Sequence, residues 1–275
     1  MKKIREKILQ ALYYVMERPI LTAFSVLVIS AIVVMILSWR YYGESYGAQI
    51  LVEAHGMLFD IAIIGMLLYW LNQKGEIRQR IRSYLNEIDD FRLWHSEEAA
   101  FRTVGNIRRL NKHDIHDINL ANFRLQNTNI SYVNLTGANL NSANLSNCTL
   151  VEINLAGARM NQTNCENSNL NGANLKAAYA SGSNFQDAYL IKADMEKAFL
   201  IKANFRNAYL MESNLSGSYL MGADLEGANL YKANLRGAEG LTAEQLATVK
   251  SLYLAELDPE LLEQVRALAP GLVDG

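Results

Sequence analysis

Residues 133–157 read VNLTGANLNSANLSNCTLVEINLAG, five consecutive five-residue units in one phase. The phase extends both ways, with 24 centres at five-residue steps from Leu120 to Leu235, and 17 of them are Leu. Two residues before each centre stands a small residue: 13 Ala, 4 Ser, 2 Thr and Cys148, against four large ones. Immediately before the centre, 14 positions are Asn and 2 are Asp. A helix would scatter such Leu residues around its axis, and a strand would put them on alternate faces. A strict short period marks a solenoid, whose units bury their apolar side only against their neighbours.

If five residues form one side of a coil, the centre and the residue two before it point inward and the other three point outward. One large and one small inward residue per side fill a narrow core without voids. Ala138-Asn139-Leu140, Ala143-Asn144-Leu145, Ala173-Asn174-Leu175, Ala223-Asp224-Leu225 and Ala228-Asn229-Leu230 resemble the A-(D/N)-L-x-x signature of the pentapeptide-repeat proteins. The resemblance covers a little under half of the chain. It implies an all-β, right-handed quadrilateral β-helix with four units per coil, hence six coils and a rod about 29 Å long at the usual spacing of ~4.8 Å. The family also includes soluble DNA mimics that protect gyrase. That role needs an acidic rod, whereas residues 115–240 carry 10 acidic and 9 basic side chains. A basic stripe for nucleic acid is equally missing.

With four units per coil, residues 20 apart share a face. Two opposite faces keep Asn or Asp before the centre, as at Asn144, Asn164 and Asn184 or Asn154, Asn174 and Asp194. The other two change in the later coils. One carries Tyr179, Phe199 and Tyr219 with Ile201 and Met221; the opposite one carries Tyr189 and Tyr209 with Ile191, Met211 and Tyr231. Two opposed apolar patches suit head-to-tail assembly or capture of a partner protein. The plainer reading is that rings simply stack along the ladder, which leaves Ile191, Ile201, Met211 and Met221 unexplained.

Outside the repeat the composition shifts. Residues 1–19 are basic, with Lys2, Lys3, Arg5, Lys7 and Arg18. Residues 20–38, ILTAFSVLVISAIVVMILS, hold no ionisable group and match a bilayer core of ~30 Å. The run is long and lacks a small-x-small cleavage site, which favours a membrane helix over a cleaved signal. A second apolar segment, residues 50–71, ends in Tyr69-Trp70 and is followed by Lys74, Arg78, Arg80 and Arg82. Residues 20–71 therefore read as a two-helix transmembrane hairpin, and the positive-inside rule puts both ends in the cytoplasm. Glu53, Gly56 and Asp60 fall on one face of the second helix. They form either a polar strip along an ion or proton path, a buried hydrogen bond with Ser30 as partner, or, if the span starts nearer Gly56, a site near the interface.

Residues 72–112 read as a helical stalk and N-terminal cap. Ile77, Ile81, Tyr84, Ile88 and Phe91 alternate 4, 3, 4, 3, as in a short coiled-coil seam or a helix laid on the domain or membrane. Ser96 caps a following helix, with Glu97 and Glu98 in its first turn and Ala100, Phe101, Val104 and Ile107 as its apolar face. In the solenoid, residues 113–240, the cluster His113, Asp114, His116 and Asp117 reads as a solvated lead-in, with a metal site as the sharper alternative. Cys148 and Cys165 are inward and read as buried free thiols. Residues 241–275 read as a helical C-terminal cap: a capping box at Thr242 and Gln245 opens a helix to about Leu257, and Asp258-Pro259 opens a second one bearing Leu261, Leu262, Val265 and Leu268.

No catalytic constellation, cofactor motif or paired carboxylate cleft stands in the sequence. The reading is a non-enzymatic scaffold at the lipid bilayer, a homo-oligomer that also takes an as yet unknown protein partner through the aromatic faces. The alternative is an oligomeric channel with Asp60 lining the path. A bacterial inner-membrane location follows from the family resemblance.

Overall fold

A chain that turns a corner every five residues needs a backbone conformation with that period. The computed structural model describes residues 27–36 and 45–273, and in it the second residue after each centre is left-handed, with φ between 51° and 72° at all 24 corners from Asn122 to Gly237. Eight of these corners are Gly and sixteen are not. A left-handed L-residue costs roughly 1–2 kcal/mol and persists only where its surroundings over-determine it.

The unit 138–142 shows what does so, because all five of its N–H groups are engaged. Ala138 N–H closes the preceding corner on Leu135 O at 3.0 Å. Asn139 N–H reaches Ile118 O in the coil below, while Leu140 and Ser142 N–H reach Arg159 O and Asn161 O in the coil above. The fifth, Asn141 N–H, donates to the Asn139 side chain. Asn139 is bridged in parallel to Asn119 below and Arg159 above, a step of 20 that recurs from Asn119 to Glu239. Each side is thus one bridged residue wide, and no longer strand occurs in the repeat. Four units per coil is the four-sided winding that the family resemblance implies.

The Asn/Asp column has the same structural task throughout. All sixteen accept, through Oδ1, the N–H of the residue two positions on, as Asn184 does from Gln186 and Asp194 from Glu196. This Asx-turn bond supplies the one acceptor that neighbouring coils leave out. Inward positions are buried as anticipated, including Leu140, Leu190, Ala188 and Ala208, and Phe185 stacks on Phe205 with centroids 5.1 Å apart.

Residues 81–275 form one compact unit and residues 1–80 another. In the larger unit, side chains replace the missing coil at both ends. Helix α3, Glu97–Asn111, begins at the Ser96 N-cap, whose side chain accepts from Ala99 N–H. Ala100, Val104 and Ile107 are buried with Leu110, but Phe101 is exposed: the apolar face turns toward Thr103 instead. Asn111 meets both downward groups of Asn134, accepting its N–H at 2.7 Å and donating to its carbonyl at 2.9 Å. Arg108 donates to Asn129 O, and Arg92 to Asn119 O and Ala121 O. An open sheet edge is thereby closed. Ile88 is buried in the same core, with Ile81 and Tyr84 packed against it, so this part of the heptad-like seam serves its own domain. In the lead-in, His116 Nδ1 is buried without a hydrogen-bond partner.

At the other end the capping box of Thr242 and Gln245 is present, but its helix, Ala243–Leu246 (α4), stops after one turn. The expected helix to Leu257 is replaced by a further partial coil. Asn229 bridges Ser251 and Asn234 bridges Glu256, a step of 22 that absorbs the helical turn. Leu252 and Leu257 take inward positions, and Leu254 takes the left-handed corner at φ 59°. Asp258 precedes helix α5, Pro259–Leu268, yet spends its carboxylate on Gly237 N–H rather than on its own helix. Val265 is buried there and Leu268 is exposed.

In the smaller unit, residues 27–36 form helix α1, apolar at every position but Ser30. The remainder of the first expected span and the basic N-terminus lie outside the described residues. Helix α2, Ser45–Phe91, begins in this unit and contains the one described helix long and apolar enough to cross a membrane. Met57, Phe59, Ile61, Met66 and Leu68 on it are each at least 60% exposed.

Burial pushes the Cys165 thiol far above its ordinary range, with Cys148 adding to the shift. Burial raises Cys148 too, against opposing hydrogen bonds from Thr128 and Asn127. Thiols raised in the folded state contribute stability below the unfolded thiol value of about 8.5, and lose it as pH rises from there toward the folded values. Native protein at pH 8 should therefore resist a thiol-specific dye that reacts readily after unfolding, and its urea midpoint should fall as pH is raised past about 8.5. In the core, Leu190→Ala should cost about 2–5 kcal/mol in urea unfolding.

Candidate functional site: two opposed aromatic ladders

The 20-residue register brings the expected rings together. Tyr179, Phe199 and Tyr219 stack with centroids 4.8 Å apart at each step and planes within 8°. Ten residues on, half a coil away, Tyr189 and Tyr209 stack at 4.7 Å and 2°. These distances are the spacing of neighbouring strands, so the backbone sets the stacking geometry. Tyr179, Tyr189 and Tyr209 are 46%, 40% and 37% exposed, and Met221 is 50% exposed. Phe199, Tyr219, Ile191, Ile201, Met211 and Tyr231 are half-buried. The second face continues into the C-terminal cap, where Tyr253 lies 6.0 Å from Tyr231 and is itself exposed. Sequence reading did not place Tyr253 on this face because the step of 22 hides it from the five-residue phase.

Where a ring replaces Asn, the Asx-turn acceptor is lost. In the lower coils another side chain substitutes: Ser181 N–H goes to Asn161 Oδ1 and Ile191 N–H to Asn171 Oδ1, each one coil below. Higher up, Ile201, Met211 and Met221 have no acceptor for their N–H among the described residues. The aromatic faces therefore give up hydrogen bonds that every Asn or Asp position makes. Stacking returns about 0.5–1.5 kcal/mol per pair, comparable with one hydrogen bond, so folding alone does not favour the rings.

The two intervening faces are polar and internally satisfied. Asn204 donates to Asn184, and Asn184 to Asn164, up one face. Arg206 bridges Asp224 and Glu226 on that face; Lys176 bridges Asp194 and Glu196 on the other. Hydrogen bonds to Glu196 and then Asp194 hold the Lys176 ammonium above its ordinary range. Such exposed pairs contribute little to stability.

Beside the last coil, Asp224, Glu226, Glu244 and Gln245 line an open depression. Gln245 Nε2 is occupied there by Ala223 O. Among the described residues no group of three His, Cys, Asp or Glu is arranged to hold a metal ion, His113, Asp114, His116 and Asp117 included. In the smaller unit, Glu53 and Asp60 are exposed on helix α2. The hydrogen bond from Asp60 to Ser30 is not made, and neither carboxylate has a partner among the described residues.

A chain with this period, this 20-residue winding and these caps defines a β-solenoid class. Residues 114–239 match the family described as Pentapeptide repeats, in eight copies. Its fold is similar to that of HetL, a pentapeptide-repeat protein involved in heterocyst differentiation regulation in the cyanobacterium Nostoc, at 24% identity and TM-score 0.42, over 56% of this chain and 79% of HetL. A pentapeptide-repeat protein of the Arabidopsis thaliana thylakoid lumen is 24% identical over 38% of this chain and 70% of its own, at TM-score 0.34. Rfr23 of the cyanobacterium Cyanothece is 25% identical over 46% of this chain and 97% of its own, also at 0.34. No curated protein sequence matches the chain.

If the rings serve the surface rather than the fold, Tyr209→Asn should leave unfolding free energy within about 1 kcal/mol of wild type, since Asn there can accept Met211 N–H as its counterparts do. Urea unfolding followed by circular dichroism checks this; a loss of 3 kcal/mol or more would make the ladder a folding element.

Proposed function

We propose that the protein is a non-enzymatic scaffold, tethered to a membrane by its N-terminal apolar helices and self-associating through the two aromatic faces of its repeat domain. The observation that carries this reading is the pair of opposed, exposed ring ladders whose flanking N–H groups are left open. Opposed patches on one rod suit contacts that pass from one copy to the next. The tether is supported by the exposed apolar band on helix α2. It ends at Tyr69 and Trp70, with Gln73 donating to the Tyr69 hydroxyl and Lys74 lying 4.1 Å from the Trp70 ring. Aromatic residues and snorkelling lysines at a helix end suit the headgroup level. On the positive-inside rule the repeat domain lies on the cytoplasmic side of a bacterial inner membrane.

Native mass spectrometry of the detergent-solubilised full chain should show a defined oligomer, and Tyr209→Glu or Met211→Glu should reduce it to monomer with an unchanged circular dichroism spectrum. A monomeric wild type, or an unaffected variant, would remove the self-association. Alkaline carbonate should leave the protein in the membrane pellet; release to the supernatant would remove the tether.

The exposed, unpartnered Glu53 and Asp60 motivate a channel as the second reading, with several copies of Asp60 around one path. A conductance in reconstituted vesicles that Asp60→Asn abolishes would replace the scaffold by the channel. Under the scaffold reading Asp60→Asn leaves assembly unchanged.

A further inference from the structure

Resting on the self-association and membrane tether just proposed, we infer that the two aromatic faces are complementary halves of one interface. The Phe199 face of one copy docks on the Tyr209 face of a second copy lying parallel to it, with Lys197 paired to Glu212. The inference comes from the corners that border each face. A side of the coil is flanked by two left-handed corner residues, its own and that of the preceding unit. Around the first face these pairs are Ala177 and Gly182, then Lys197 and Lys202, then Gly217 and Gly222, from lower to upper coil. Around the second face they are Asp187 and Lys192, then Asn207 and Glu212, then Gly227 and Lys232. The first face thus has one pair of long cations between small residues, and the second has most of the remaining charge.

When two parallel rods meet through opposite faces, the preceding corner of one face lies against the following corner of the other. With Phe199 level with Met211, Lys197 meets Glu212 and Lys202 meets Asn207. The long charged corners of the second face then fall against small residues: Asp187 against Gly182, Lys192 against Ala177 and Lys232 against Gly217. Sliding by one coil in either direction puts Lys197 against Lys192 or Lys232, so charge selects a single register. First-face pairing with itself in parallel opposes Lys197 to Lys202. Second-face pairing with itself avoids like charges but leaves the first ladder uncovered. Parallel rods are the arrangement proposed for copies tethered to one bilayer; antiparallel rods would set Lys202, not Lys197, against Glu212. Of the ions involved, Lys197 is 73% exposed and bridges only its neighbour Glu196, Lys202 has no ion-pair partner among the described residues, and Glu212, 46% exposed, pairs with Lys192 of its own chain at 3.7 Å and would share its carboxylate with Lys197 of the second copy. Faces half a coil apart then extend the contact from copy to copy as an open row rather than a closed pair.

The test exchanges charge between corners that already accept both residues, since Glu occupies this corner at Glu152 and Lys at Lys192. Full-length chains in detergent, differently tagged, are analysed by native mass spectrometry and sedimentation. Lys197→Glu and Glu212→Lys should each raise the concentration needed for assembly by at least about tenfold, because an opposed pair becomes a like pair. The double variant should assemble as wild type does. Mixing the two single variants should restore a row in which they alternate, since both contacts between unlike copies are complementary and neither contact between like copies is. Lys197→Glu assembling normally while Asp187→Lys fails would overturn the inference in favour of second-face pairing. Rescue of Glu212→Lys by Lys202→Glu, and not by Lys197→Glu, would overturn it in favour of antiparallel rods. A wild type that never assembles removes the underlying self-association itself, an outcome separate from these.

Discussion

Everything in the repeat domain depends on backbone hydrogen bonds between residues about 20 apart. In a unit such as 138–142 three N–H groups are spent on neighbouring coils, one closes a corner, and one is taken by an Asn side chain. Each side contributes a single bridged residue, so no side is stable by itself. The stacked coils hold non-glycine residues such as Tyr132 and Lys202 in a left-handed conformation that an isolated pentapeptide would leave. The same constraint sets the 4.7–4.8 Å repeat on which the surface rings stack.

A ladder of this kind has open edges, and the chain closes them with side chains that imitate peptide groups. Asn111 presents its amide to Asn134 as a coil below would. Gln245 and Asp258 do the corresponding work above, on Ala223 O and Gly237 N–H. Closed ends direct association away from end-to-end pairing and toward the sides. On the sides, the Asn and Asp columns satisfy the backbone, whereas the aromatic columns give that up at Ile201, Met211 and Met221. Those columns are where folding chemistry has been exchanged for an apolar surface.

Much of this was legible in the residues. The five-residue phase and the large and small inward pair come from periodicity, and the faces bearing Tyr179, Phe199, Tyr189 and Tyr209 follow once the four units per coil implied by the family resemblance are added. The Ser96 and Thr242 caps were readable because capping is local to four residues. What escaped the sequence was long-range. The role of the Asn column shows only when the N–H groups are counted against neighbouring coils. The helix after Thr242 stops at Leu246 because Leu252, Ala255 and Leu257 are better buried as another coil, a competition that local pattern does not weigh. Phe101 has helical spacing with the buried face, but Thr103 and Leu110 take the space.

The sequence by itself determined that this protein is a solenoid and which residues face outward, because a strict five-residue period fits neither a helix nor a strand and repeats one inward pair in every unit. Only the tertiary structure decided which of those outward residues are committed to the fold. An Asn beside the centre and a Tyr beside the centre occupy the same place in the repeat. They differ in whether an N–H two residues away finds an acceptor, and that depends on a coil formed 20 residues earlier or later. The C-terminal extension of the second face through Tyr253 was decided in the same way, since its step of 22 exists only once the one-turn helix has been packed into the last coil.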